Sequence, residues 1–198
     1  MALVAGLVIP GYSSAQTGDA LMTQAYFVQQ GSDEALLIRI NSFEAEFESR
    51  LSDQAGKLLL VSGIPNSRIV PVFQYINAPQ SPRQLDIEVT SNRHTDRSKF
   101  DIELTRLKSW DNRSNSVSRA YQLLSYGMET GGGDSETNWT AKIDSLKNAG
   151  KLFQNFGMIE MRLWSNYLAA HLIHYHLHDH NMVNSMAGEI LADARGSR

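Results

Sequence analysis

Apolar and polar residues alternate along much of the first half of the chain. The clearest run alternates aliphatic with acidic or hydroxyl side chains: Leu85, Asp86, Ile87, Glu88, Val89 and Thr90. Successive side chains of a β-strand point to opposite faces, so this pattern predicts a strand with one buried and one solvated face. Similar short segments, separated by turn signals and without intervening helices, fill residues 21–110. They predict an antiparallel β-sandwich of six or seven strands.

Local signals mark where individual strands turn or end. Over residues 42–51, aromatic and small side chains fall on one predicted face and charged ones on the other. The segment 53–56 (Asp-Gln-Ala-Gly) then predicts a turn into the apolar run 58–61. Pro71 interrupts the segment 68–76, and because proline lacks a backbone N–H group, it predicts an edge strand or a bulge.

The hydrophobic period changes from two residues to about 3.6 after Trp110. This spacing is typical of amphipathic helices. It predicts four helices, over about 117–129, 139–156, 159–176 and 181–194. Gly157 lies where a helix C-terminus would end in a left-handed residue.

The N-terminus has the layout of an export signal. Nine apolar positions, 2–10, are followed by small residues at Ser13 and Ala15, which predicts cleavage by a signal peptidase after Ala15. The apolar run is shorter than the roughly 20 residues that a transmembrane helix needs. No Lys or Arg precedes it, and a buried strand or helix of the mature domain stays open as the alternative reading. The sequence therefore predicts an exported protein, periplasmic or secreted.

Charge and cysteine content exclude several functional classes. The formal net charge is −3 and the chain has no cysteine. Disulfides, zinc thiolates and a cysteine nucleophile are therefore excluded for these residues. The acidic balance argues against a chain-wide nucleic-acid footprint, and no other segment predicts a membrane span.

Four segments of the alternating half together form a family pattern. They are a strand–turn–strand opening over 26–40, a strand, Asp-x-x-Gly turn and Leu-Leu pair over 43–59, and closing strands over 85–89 and 100–107. This arrangement resembles the pre-peptidase C-terminal-type sandwich of secreted bacterial proteins. The likeness implies a fold more than an activity.

The second and fourth predicted helices share a motif. Ala149-Gly150 and Ala187-Gly188 are offset by 38 residues, a period typical of helical-hairpin repeats. The segment 146–170 resembles a tetratricopeptide-like unit; a small four-helix bundle is the alternative. The order of the predicted parts is an export signal, then a sandwich, then one tetratricopeptide-like unit. This order resembles the N-terminal region of bacterial CHAT-domain proteins. The family's catalytic His/Cys pair requires a cysteine, so no proteolytic activity is carried over.

Five of the six histidines lie within ten residues of one another. On a straight α-helix His171, His174 and His178 would share an arc of about 60°. Three neutral imidazoles at this spacing could bind Zn²⁺ or Cu²⁺. The H-E-x-x-H motif of zinc enzymes is absent, and structural or helix-end roles for these histidines stay open.

Together these patterns predict an α+β protein: an N-terminal antiparallel β-sandwich followed by a C-terminal α-helical, tetratricopeptide-like hairpin region. The predicted parts are a signal-like segment (1–15), the sandwich (16–110) and a helical region (111–198) interpreted as truncated.

The predicted function is a non-enzymatic, exported protein–protein interaction or scaffold module, the front part of a larger CHAT-type protein. An exported metal-binding protein using the histidine cluster is the alternative. The partner is expected to be a protein or the C-terminal remainder of the same chain, without nucleic acid and without a cofactor. The candidate contact residues, each of which also suits a core position, are Tyr121, Phe153, Trp164 and Tyr167.

Overall fold

The chain divides into two compact units. The computed structural model describes residues 9–10, 23–42, 46–63, 71–91, 100–108, 112–130 and 136–196. The first unit comprises Met1–Trp110 and Met128–Gly131, and the second comprises Asp111–Gly127 and Gly132–Arg198.

The first unit contains two antiparallel sheets. Its strands are β1 (Ile9–Pro10), β2 (Thr23–Gln30), β3 (Glu34–Ser42), β4 (Phe47–Asp53), β5 (Leu58–Gly63), β6 (Val72–Ile76), β7 (Arg83–Ser91) and β8 (Phe100–Lys108). One sheet has the order β1-β2-β7-β4-β5 and the other β6-β3-β8. Four helices follow in the chain, so the predicted fold class, antiparallel sheets and then helices, is confirmed.

Alternation in the sequence corresponds to alternation in burial. Leu85, Ile87 and Val89 of β7 are each 0% exposed, while Glu88 between them is exposed. β6 begins one residue after Pro71 and lies at the edge of its sheet, as the proline predicts.

A buried glutamine holds β2 to its neighbours. Gln30 is 1% exposed, and its Nε2 donates hydrogen bonds to the carbonyl oxygens of Glu34 at 2.8 Å and Asn77 at 2.9 Å. Its Oε1 accepts from Nε of Arg83 at 2.9 Å. Because a buried amide is costly unless its polar atoms are paired, these bonds fix how the ends of the two sheets meet.

Two placements in the first unit do not follow from the local sequence pattern. β8 comes directly after β7 among the strands, but it pairs with β3 in the other sheet. Residues 128–131, assigned by pattern to the helical region, belong to the sheet unit: the N–H group of Thr130 donates to the Val61 carbonyl at 3.0 Å, and that of Gly63 donates to the Met128 carbonyl at 3.2 Å. Both arrangements are long-range pairings that local periodicity does not encode.

β1 lies within the predicted signal segment. Ile9 and Pro10 pair antiparallel with Phe27 and Tyr26 of β2. A strand at this position is one of the alternatives to an export signal that the sequence analysis named. The proposed cleavage position after Ala15 lies outside the described residues.

The second unit is helical. Its elements are α1 (Asn112–Gly127), α2 (Glu136–Asn155), α3 (Ile159–Leu172), a π-helical segment (Ile173–Leu177) and α4 (His180–Gly196). Gly157 has φ 68° and follows α2, as predicted, and the N–H group of Met158 donates back to the Phe153 carbonyl at 2.9 Å. Among the described residues, no helix has both the length and the apolar character needed to cross a membrane.

Candidate functional site

Two of the four predicted contact residues lie in the interior of the helical unit. Tyr121 of α1 is 4% exposed and Phe153 of α2 is 0% exposed, and their rings meet edge to face with centroids 5.0 Å apart. Burial, with a smaller contribution from the charge of Glu160, raises the pKa of Tyr121 to about 12. In this structure these two rings pack against each other and offer no surface to a partner.

The other two predicted contact residues reach the surface of α3. Tyr167 is 41% exposed and Trp164 is half-buried, with ring centroids 6.1 Å apart and the planes nearly perpendicular. The ring centroid of His171 lies 6.3 Å from that of Tyr167 and 4.5 Å from that of Tyr175, a residue that is 38% exposed. Spacings of three and four residues align these side chains along one side of the helix.

The histidines do not form the predicted triad. The arc for His171, His174 and His178 assumed a straight α-helix, but the chain is π-helical over Ile173–Leu177 and His178 is left-handed with φ 54°. A π segment adds a residue to the turn and so shifts the side chains that follow. Among the described residues, no group of three or more His, Asp or Glu side chains is placed to hold a metal ion.

Other histidine contacts replace the triad. The rings of His174 and His180 approach to 5.6 Å between centroids. His176 stacks on Trp139 of α2, with centroids 3.5 Å apart and planes 7° from parallel. These pairs join the π segment to α4 and to α2, and helical spacing did not reveal them because their members lie on different elements.

Trp139 also contacts a cation. Nζ of Lys142, a residue only 3% exposed, lies 4.6 Å from the centroid of the indole ring. This cation–π contact and the His176 stack both involve the same indole. The cluster of Trp139, Lys142 and His176 therefore holds the end of the π segment against α2. This cluster was not found in the sequence analysis because His176 is far from the other two residues in the sequence.

The two copies of the Ala-Gly motif have different surroundings. Ala149 and Gly150 of α2 are buried, and a Cβ added at Gly150 would lie 2.6 Å from Oδ1 of Asn166 in α3. Ala187 and Gly188 of α4 are exposed, and a Cβ at Gly188 would meet nothing within 4 Å. The first copy thus allows close helix packing, while the second copy is open.

The open side of α4 also carries apolar residues. Leu191, offset by 38 residues from the buried Phe153, is 56% exposed, and Ala187 is exposed as well. Met186 is the buried side chain among those described in α4. We define the α4 open face as Asn184, Ala187, Gly188 and Leu191.

Comparison with known proteins adds no functional assignment. No family model and no curated protein matches the chain. The structure resembles a crystal structure of a Paenibacillus sp. cycloisomaltooligosaccharide glucanotransferase complexed with cycloisomaltoheptaose, with a TM-score of 0.26 and 11% sequence identity. The match covers 75% of this chain and 26% of that one, and a likeness at this TM-score carries no argument.

Proposed function

We propose that the chain is a non-enzymatic, exported protein-interaction module whose α4 open face binds a helix of a protein partner. The two-sheet unit serves as a spacer or attachment module. The observation that carries the proposal is the contrast between the covered and the open copy of the Ala-Gly motif.

The covered copy indicates what kind of partner fits the open one. At Gly150 the absence of a side chain lets α3 approach α2, with Asn166 and Ser165 opposite the glycine. Small residues on one helix permit such close approach, and a larger apolar side chain nearby fills the groove beside it. Gly188 and Leu191 place the same two features on α4.

The character of the α4 open face favours a reversible complex. Leu191 provides exposed apolar area, whereas Asn184 is polar and exposed. Non-obligate interfaces combine apolar anchors with a polar rim in this way. The formal net charge of −3 supplies no general attraction to nucleic acid.

Two further elements of the proposal rest on the sequence. The order of signal-like segment, sandwich and helical repeat supports placing the chain at the front of a larger CHAT-type protein, in which case the bound helix belongs to the same chain. The apolar run and small residues of segment 1–15 support export. N-terminal sequencing of the protein recovered from a secreting bacterial host tests export: we expect a start at Gln16, and a retained Met1 would contradict it.

Quantitative co-purification tests the α4 open face. Gly188→Leu places a bulky side chain in it. Glu189→Leu is the control, because Glu189 is exposed and lies about 100° from Gly188 and about 160° from Leu191 around α4. We expect wild type and Glu189→Leu to recover the same protein and Gly188→Leu to recover about tenfold less, equivalent to about 1.4 kcal/mol. Equal recovery by both variants, with unchanged thermal melts, would contradict the proposal.

A further inference from the structure

We infer that His174 and His180 form a two-histidine site for a divalent transition-metal ion, with water completing the coordination. Their ring centroids lie 5.6 Å apart with the planes inclined by 55°. Because an imidazole nitrogen lies about 2.0–2.1 Å from Zn²⁺, two imidazoles on one tetrahedral ion have centroids roughly 5–6 Å apart. The pair is therefore already at the separation that a shared ion requires.

Both imidazoles are accessible to a dissolved ion. His174 and His180 are exposed. The ring of the neighbouring His176 is stacked on that of Trp139, with centroids 3.5 Å apart, whereas the ring of His174 meets that of Tyr175 edge to face, with centroids 4.9 Å apart. Imidazole ligands favour Zn²⁺, Cu²⁺ and Ni²⁺ over Mg²⁺ or Ca²⁺.

The backbone around the connection holds the two histidines in place. His178 adopts φ 54°, which directs the chain from the π segment into α4. Oδ1 of Asp179 then accepts a hydrogen bond from the N–H group of Met182 at 3.0 Å and caps the first turn of α4, in which His180 lies. A bound ion would cross-link the end of the π segment to the start of α4.

Isothermal titration of untagged full-length protein with ZnCl₂ at pH 7.5 tests the site, since neutral imidazoles are the metal-binding form. We expect one saturable site, weakened by about tenfold or more in His174→Gln and in His180→Gln, because each removes one of two protein ligands. His171→Gln and His178→Asn are the controls and are expected to bind as wild type does; asparagine is used at 178 because it tolerates the positive φ of that position.

Hydrogen exchange provides a second readout. We expect Zn²⁺ to slow amide exchange in the first turns of α4 in wild type and in the two control variants, but not in His174→Gln or His180→Gln. The absence of saturable Zn²⁺ binding would overturn the inference. Equal weakening in all four variants would also overturn it, because the ion would then bind to the histidines without a specific pair of ligands. Weakening in His171→Gln and His178→Asn alone would likewise overturn it.

Discussion

The central strands of the sheet unit and the last helix of the helical unit bury their side chains to very different extents. β3 and β7 each have a strand on both sides, and their inward residues Ile38 and Ile87 are 0% exposed. α2 is likewise packed by α1 and α3, whereas α4 packs mainly against α3. Most of the described side chains of α4 are accordingly exposed. Stability is therefore expected to reside in the sheet unit and in α1–α3, and recognition in α4.

Matched leucine truncations give the largest expected difference. Leu85→Ala in β7, where Leu85 is 0% exposed, is expected to lower the free energy of unfolding by about 2–5 kcal/mol through lost burial and a residual cavity. Leu191→Ala in α4, where Leu191 is 56% exposed, should change it by less than about 0.5 kcal/mol. Urea unfolding followed by circular dichroism measures both. A large loss for Leu191→Ala would show that its face is already covered.

Alkaline titration tests the packed part of the helical unit. The pKa of Tyr121 is raised to about 12 by burial, against 10.0 for an ordinary tyrosine. The folded state thus holds the phenolic proton more tightly than the unfolded chain does. The contribution of the protonated Tyr121 to the free energy of unfolding is fully present below pH 10. It is lost as the pH rises towards 12, and the total loss is about 2–3 kcal/mol.

Tyrosine-to-phenylalanine variants isolate that loss. Tyr121→Phe should remove the fall in the free energy of unfolding between pH 10 and 12. Tyr126→Phe, at a tyrosine 40% exposed in the same helix, should keep it. Chemical denaturation at a series of pH values measures the effect, and an undiminished fall in Tyr121→Phe would assign it to other groups.

Three helical glycines compare packing along the helical unit. A Cβ at Gly127 would overlap Cγ of Leu146, whereas at Gly188 it would meet open space. Gly127→Ala is expected to destabilise the protein by about 1–3 kcal/mol through overpacking, and Gly188→Ala to stabilise α4 by up to about 1 kcal/mol through helix propensity. Gly150→Ala should fall between them, because the side-chain amide of Asn166 can move. Thermal melts that rank Gly188→Ala as the most damaging would contradict an open α4.

The cap of α4 gives the smallest expected effect. Asp179→Ala removes the acceptor for the N–H group of Met182 and is expected to destabilise the first turn of α4 by about 1 kcal/mol. Because α4 is open, the change should appear as faster amide exchange within α4, with exchange in β3 and β7 unaltered. Faster exchange throughout the chain would instead show that α4 unfolds together with the rest.

The sequence predicted the features that depend on local pattern. Alternation identified Leu85, Ile87 and Val89 as buried, and the 3.6-residue period located four helices, because both patterns follow directly from backbone geometry. Pairing across the chain was not predictable in this way. The placement of β8 beside β3 and of Thr130 beside Val61 depends on distant partners.

The candidate site was predicted only in part. Trp164 and Tyr167 do reach the surface, but helical spacing places Tyr121 on an apolar face without saying whether a second helix covers that face. The histidine triad assumed a straight α-helix, and the π-helical segment together with the left-handed His178 changes which imidazoles meet. The Ala-Gly repeat was visible in the sequence; that one copy is covered and the other open is a property of tertiary packing.

Site-specific photo-crosslinking tests the central claim most directly. A photoreactive amino acid replaces either Leu191, within the α4 open face, or Glu189, which is exposed about 160° away around the same helix, in the full chain. The account predicts a defined adduct with a protein partner from position 191, absent from position 189 and lost when Gly188→Leu is added. No adduct at position 191, or equal adducts at both positions, would contradict it.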